Sequence, residues 1–214
     1  MKRLNLIAIV AVAVLALAAC KSKEKTDEYI PGIGPGDTAS VLGSERTANS
    51  GTIVGSWEGS EEIDLADVSG KTRILYVFND DGTMTFERNA TGKAPVETDE
   101  LGTMLIGTKF RYEVPGTWNV DGDAVVIKYD TSKMKVELKE VTVLESTLSK
   151  GMKAMVEEEL QKPENLAPME ADLTKELKSD HDEDERLINI ELNGNELSCS
   201  REGNPLQLSL SRVQ

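Results

Sequence analysis

The sequence predicts a mainly β protein: an antiparallel up-and-down β-barrel of about eight strands, with a two-helix insertion before the last three strands. Three observations predict it. From Thr52 onward, apolar and polar residues alternate with period two in short stretches, and most of these are joined by two- to five-residue turns. The alternation breaks once, over 145–180, where apolar residues fall at helical spacing instead. Nine candidate strands joined this way make a meander, and a meander of this length avoids exposed edges best by closing on itself.

The elements follow in chain order. Lys2 and Arg3 precede the apolar stretch Leu4 to Ala19, broken only by Asn5 and followed abruptly by Lys21, Ser22, Lys23, Glu24 and Lys25. This is the pattern of an export signal, and its sixteen residues fall short of the roughly 20 needed to cross a bilayer core. Leu17-Ala18-Ala19-Cys20 resembles the lipobox of bacterial lipoproteins. The resemblance implies cleavage before Cys20 and acylation of its sulfur and new amino group. Each buried methylene contributes about 0.8 kcal/mol, so two or more chains anchor stably where one binds marginally. The expected organisation is a signal peptide over 1–19, a lipidated tether over 20–50 and a barrel domain over 51–214. The expected location is a bacterial cell envelope, at the outer membrane.

Pro31, Gly32, Gly34, Pro35, Gly36, Gly43, Ser44 and Ser50 make the tether a flexible stalk with little to bury. About 30 such residues reach about 30 Å. The opening strand is expected around Ile53 to Glu58. Ile74, Tyr76 and Phe78 share a face, Asn79-Asp80-Asp81-Gly82 turns the chain, and Met84, Phe86 and Arg88 continue the face. Phe110, Tyr112 and Val114 alternate with Lys109, Arg111 and Glu113. Pro115-Gly116 then predicts a bulge or edge bend before Trp118 and Val120. Asp121-Gly122 is a hairpin signal, because a type I′ turn needs positive φ at both central positions. Val125, Ile127 and Tyr129 follow. Met134, Val136 and Leu138 then give way to Val141 and Val143, a register change that predicts a bulge at Lys139-Glu140.

Leu148, Met152, Met155, Val156 and Leu160 predict one helix, and Leu166, Met169, Leu173 and Leu177 a second, with Pro168 in its first turn. Both stripes are expected to pack on the domain that carries them. Strands resume with Ile188, Ile190 and Leu192, then Leu197 and Cys199, and finally Leu206, Leu208, Leu210 and Arg212.

Composition removes several classes of function. The chain has 214 residues, of which roughly 164 remain for a domain with a real core. It carries 24 Lys+Arg against 38 Asp+Glu, a net charge of −14. Signal cleavage takes two of the 24, leaving 22 basic side chains and no basic stripe for nucleic-acid phosphates. Two cysteines, one of them Cys20, exclude a disulfide scaffold, and Cys199 is expected to be a buried structural thiol. His181, the single histidine, lies in the acidic run Ser179 to Glu185 and is expected at the surface rather than in a catalytic group. No phosphate-binding glycine loop and no Cys/His metal spacing occurs. The expectation is therefore no enzyme, no cofactor and no metal.

Gly55-Ser56-Trp57 resembles the Gly-x-Trp signature of lipocalins, and Arg212 sits where that family has an arginine packed over the tryptophan. Asn79-Asp80-Asp81-Gly82-Thr83 and Val120-Asp121-Gly122 are also similar to small lipocalin-like domains of bacterial lipoproteins. The resemblance covers about 51–214 apart from the helical pair, which precedes the last three strands where that family places its helix after the last main strand. It implies a calycin-type barrel closed by Gly55, Trp57 and Arg212, and the carriage of a small apolar molecule. A barrel of about eight strands is wide enough for one small ligand or for side chains alone. The residues expected to supply apolar and π contact are Trp57, Tyr76, Phe86, Tyr112, Trp118 and Tyr129. The second expectation is an interaction module that docks an envelope partner through the helical insert or a sheet edge, with no small-molecule ligand.

Overall fold

A computed structural model describes residues 53–65, 68–98, 102–204 and 206–213. The expected signal peptide, tether and lipidation site at Cys20 lie outside the described residues.

Nine strands and two helices follow one another: β1 (Gly55–Leu65), β2 (Val68–Phe78), β3 (Thr83–Thr98), β4 (Gly102–Asp121), β5 (Ala124–Tyr129), β6 (Lys135–Ser146), α1 (Lys150–Leu160), α2 (Pro163–Asp180), β7 (Glu185–Asn193), β8 (Glu196–Arg201) and β9 (Gln207–Val213). All pairings are antiparallel. Eight strands close a barrel in the order β1-β2-β3-β4-β5-β7-β8-β9, and β9 returns to β1 through Ser56↔Val213 and Trp57↔Arg212. The fold class expected from the alternation is thus the one observed, with the helical pair where the period breaks.

The ninth strand explains a feature the alternation misreads. β4 runs unbroken through Pro115-Gly116 along β3, so there is no bulge on that side. Its other edge changes partner there: Gly116–Asp121 pairs with β5, and Met104–Glu113 pairs with β6. Pro115, which has no N–H to give, stands at the changeover. Gly116 admits the crossing chain, since a Cβ there would lie 2.3 Å from the Lys128 carbonyl oxygen. The register shift expected at Lys139-Glu140 is present, and a second one leaves Leu144 outside the ladder.

The helices cover the outer edge of β6. Glu170 accepts the Leu138 N–H at 2.9 Å and Glu157 the Val143 N–H at 3.3 Å; Gln161 donates to the Val141 carbonyl and Lys153 to that of Leu144. An unpaired strand edge invites further strands, and here side chains take the bonds a tenth strand would make. Leu160, Met169, Leu173 and Leu177 enter the common core. Two expectations about the pair are corrected. Pro163, not Pro168, occupies the first turn of α2, and Pro168 lies inside the helix. Met152 and Met155 are 46% and 70% exposed, because α1 buries only its last turn, at Leu160.

Candidate functional site

The strand registers give the barrel two unlike ends. Gly55, the 79–82 turn, the 121–124 turn, the 193–196 turn and Val213 at the end of β9 gather at one end. This end is closed as the Gly-x-Trp resemblance implies. The Trp57 indole N–H donates to the Ile53 carbonyl at 2.7 Å, and the Arg212 guanidinium lies over the indole at 4.4 Å while donating to the Val54 carbonyl at 3.0 Å. A guanidinium on an indole face contributes about 0.5–2 kcal/mol, more as water is excluded. Gly55 is required twice over: its φ is +136°, and a Cβ would lie 2.8 Å from Arg212 Nη1.

Five of the six aromatic residues expected to bind a ligand form one continuous group. Tyr76 lies 4.7 Å from Phe86 and stacks on Phe78 at 5.8 Å; Phe78 meets Trp118 edge-on at 5.3 Å; and Phe86 meets Tyr112 at 5.8 Å and Tyr129 at 6.0 Å. Trp57 stands apart in the closure. At these separations the rings occupy the space between one another, so the Phe78 end of the group is filled by its own side chains.

Further from the closed end, the interior carries charge that the sequence reading did not place there. Arg88, Glu61, Arg201 and Glu185 form a chain of ion pairs across β3, β1, β8 and β7: Arg88 to Glu61, Arg201 to Glu61 at 2.8 Å, and Arg201 to Glu185 at 2.7 Å. Two carboxylates meet two guanidiniums, so the group is neutral as a whole. Tyr76 donates to Glu185 at 3.0 Å and accepts from Arg201 at 3.1 Å, and Tyr129 also donates to Glu185. Burial works to raise the Glu185 and Glu61 pKa values, but the guanidiniums outweigh it and hold both carboxyls below the usual range. Burial, reinforced by Glu185, pushes the Tyr76 and Tyr129 hydroxyls well above theirs, so both remain donors.

Five buried polar side-chain atoms make no hydrogen bond among the described residues: Arg88 Nε of the chain itself, Tyr112 Oη, Thr72 Oγ1, Thr108 Oγ1 further along β4, and Arg111 Nε on the opposite parity of the same strand. Arg88 and Tyr112 face each other across β3 and β4, and Thr72 lies on the neighbouring β2. Burial raises the Tyr112 pKa although Arg88 pulls it down, and no hydrogen bond of normal geometry joins the two.

His181 corrects an expectation. It is half-buried at the end of α2, with its ring 4.7 Å from Tyr129, 5.5 Å from Tyr112 and 6.0 Å from Phe86. The acidic run around it suggested solvent, and Ser179, Asp182, Glu183 and Asp184 are exposed, but Asp180, His181 and Glu185 between and beside them are half-buried. Cys199 is buried as expected, its thiol pushed up to about 12 by burial, which keeps it an unreactive thiol.

A concavity of about 390 Å³ lies on the outer face of the sheet between Lys71, Arg73, Lys109 and Lys139. Each of these cations is paired with a glutamate, so the saddle offers no unmatched charge to a ligand.

No protein-family model matches the chain, and no curated protein matches it at a significant level.

Proposed function

We propose that this chain is a lipid-anchored protein of a bacterial cell envelope whose lipocalin-like barrel carries a small, largely apolar molecule. The observation that supports carriage most is the set of unpartnered polar atoms at Thr72, Arg88, Thr108 and Tyr112. A barrel filled for stability alone would carry apolar side chains at these positions, because a buried hydroxyl without a partner costs about 1–3 kcal/mol. An occupant that meets them turns that cost into recognition. The neutral ion-pair chain beside them supports a neutral ligand over a free acid, since Glu61 and Glu185 already take the place a ligand carboxylate would need.

The anchoring half of the reading rests on the Lys2-Arg3 start, the apolar stretch and Leu17-Ala18-Ala19-Cys20. β1 begins at the Trp57 end of the barrel, so a lipidated segment preceding it would join the domain at that end. No reaction is assigned to the barrel.

Native mass spectrometry of the purified chain, together with a lipophilic-dye titration, tests carriage. A bound species or a saturable dye signal is expected; neither would end the proposal. For the anchor, Cys20→Ser is expected to abolish partition into detergent, and equal partition by wild type and variant would refute lipidation.

The second reading, an interaction module for an envelope partner, is favoured by one observation. Leu144, Met152 and Met155 are exposed on β6 and α1. The β6 edge itself is taken by helix side chains over Leu138 to Leu144, which leaves the helix face as the docking surface. Cross-linking in cells, comparing wild type with Met152→Lys/Met155→Lys, decides it: lost partners support the module and unchanged partners sink it.

A further inference from the structure

α1 lies against β6 through one side only. Lys153 donates to the Leu144 carbonyl, Glu157 accepts the Val143 N–H, and Leu160 alone is buried. The opposite side is bare. Gly151, Met152, Ala154, Met155, Glu158 and Glu159 are exposed, and Met155, at 70%, is the most exposed large apolar residue among the described ones. Gly151, Met155 and Glu158 stand in one line along that side, at i, i+4 and i+7. A Cβ at Gly151 would meet nothing within 4 Å, so the turn beside Met155 is open to the backbone of another chain.

The charges on that side run against the helix. Acidic groups favour a first turn and basic groups a last turn, because the peptide dipoles make the first positive and the last negative. α1 has no acid in its first turn and no base in its last. It opens with Lys150 and ends with Glu157, Glu158 and Glu159. Glu157 is engaged with β6 and Glu159 with Lys162. Lys150 and Glu158 make no hydrogen bond or ion pair among the described residues, so no contact there offsets their placement. The two stand eight positions apart, about 12 Å at the helical rise, on either side of Ala154.

We propose that the outer side of α1 is the contact face for a second copy of this chain, laid antiparallel about a two-fold axis at Ala154-Met155, with Lys150 of each copy against Glu158 of the other. A two-fold contact needs a face that is its own complement, and this one carries opposite charges at equal distances from its centre. In that arrangement each positive helix end, with its lysine, meets a negative end with its glutamates, so the charge order that disfavours one helix favours two. Met152 and Met155, unbranched and flexible, fill the seam. A bilayer fits this side less well, because Glu158 and Glu159 border the methionines where a membrane surface favours lysine and arginine. The contact runs along 11 residues, about 16 Å, and belongs to the small, reversible class of interface. It rests on the docking face of the second reading and is independent of carriage.

The test is made in cells producing the full chain, with Met155→Cys placed near the axis and a short, membrane-permeant bis-maleimide added. A product of twice the chain mass is expected. Wild type, and Asp123→Cys in the exposed 121–124 turn, are expected to give none. In the Met155→Cys background, Lys150→Glu and Glu158→Lys are each expected to lower the yield about fivefold. The two together are expected to restore it, since the swapped face is again its own complement. Both single changes agree with the helix dipole, so a lost product does not report a lost helix. A double variant that yields no more than the single ones, a yield that neither single change moves, or no product at all overturns the proposal. If Met155→Cys is joined only to a protein of another mass, the second copy falls and the docking reading stands. If nothing is joined and Met152→Lys/Met155→Lys loses no partner, both fall.

Discussion

Where β1 enters the barrel, the polar atoms of the large side chains have partners: the Trp57 indole on Ile53, Arg212 on Val54 and over the indole, and the Trp118 indole on the Asn79 carbonyl at 2.9 Å. Further along the same interior face, Arg88 and Tyr112 carry buried atoms with none, beside a chain of ion pairs. Both regions come from one inward alternation, so the difference lies in chemistry rather than topology. The closed end is arranged as a core of mutually satisfied side chains, and the second region carries ion pairs and polar atoms without a hydrogen bond among the described residues. Truncation should treat them alike in size but for opposite reasons. Trp57→Ala removes a fully buried indole and its cation, and is expected to cost about 3–5 kcal/mol in urea unfolding. Arg201→Met is expected to cost a similar 3–5 kcal/mol, because Glu61 and Glu185 are then left buried without their shared cation.

Acid separates the two cases. In the wild type, Glu61 and Glu185 have pKa values held below the ordinary 4.5, burial being outweighed by Arg201 and Arg88. Their contribution is therefore complete above the unfolded pKa and is lost as pH falls through it toward the folded values. Stability should stay level from neutral pH down to about pH 5 and decline below. Without Arg201, Glu61 keeps Arg88 but Glu185 loses the cation that offsets its burial, so protonation of Glu185 is expected to favour the fold. Arg201→Met should then gain stability on mild acidification where Trp57→Ala does not. Urea midpoints for the three proteins across that range make the check, and parallel curves would show that the ion pairs contribute nothing at the second region.

At the closed end a smaller effect is expected from Gly55→Ala, about 1–3 kcal/mol, because the alanine must adopt positive φ and push Arg212 off Trp57. This residue was legible in the sequence, as were the strand count, the helical interruption, the shift at Lys139-Glu140 and the closing pair Trp57 and Arg212. Each depends on local alternation or on two residues brought together by closing a meander. The ion-pair chain was half legible. Arg88 follows Met84 and Phe86 on one face, and Arg201 follows Leu197 and Cys199, so both guanidiniums were on the inward parity. Reading a cation as interior needs its anion in view, and Glu61 and Glu185 lie 140 and 16 positions from Arg201. His181 was misread because charge density around it spoke for solvent, while its place is set by where α2 ends. The partner change along β4 had no local signature except Pro115, which fits an edge bend equally well.

The smallest expected effects sharpen the contrast most. Tyr76 and Tyr112 are both buried tyrosines of the same aromatic group, but Tyr76 is bonded to Glu185 and Arg201 while Tyr112 is bonded to nothing among the described residues. Removing a bonded hydroxyl loses its bonds and leaves a charged partner less satisfied, so Tyr76→Phe should cost about 1–3 kcal/mol. Removing an unpartnered one loses nothing and relieves desolvation, so Tyr112→Phe should leave stability unchanged or raise it by up to about 1 kcal/mol, as should Thr72→Val. A stabilising loss of a hydroxyl at a residue that improves no packing is what a position kept for recognition would show, since selection for folding alone would favour phenylalanine there. If Tyr112→Phe instead lowers the urea midpoint as far as Tyr76→Phe does, the Tyr112 hydroxyl is a structural contact like the others, and the second region is a core with charges in it.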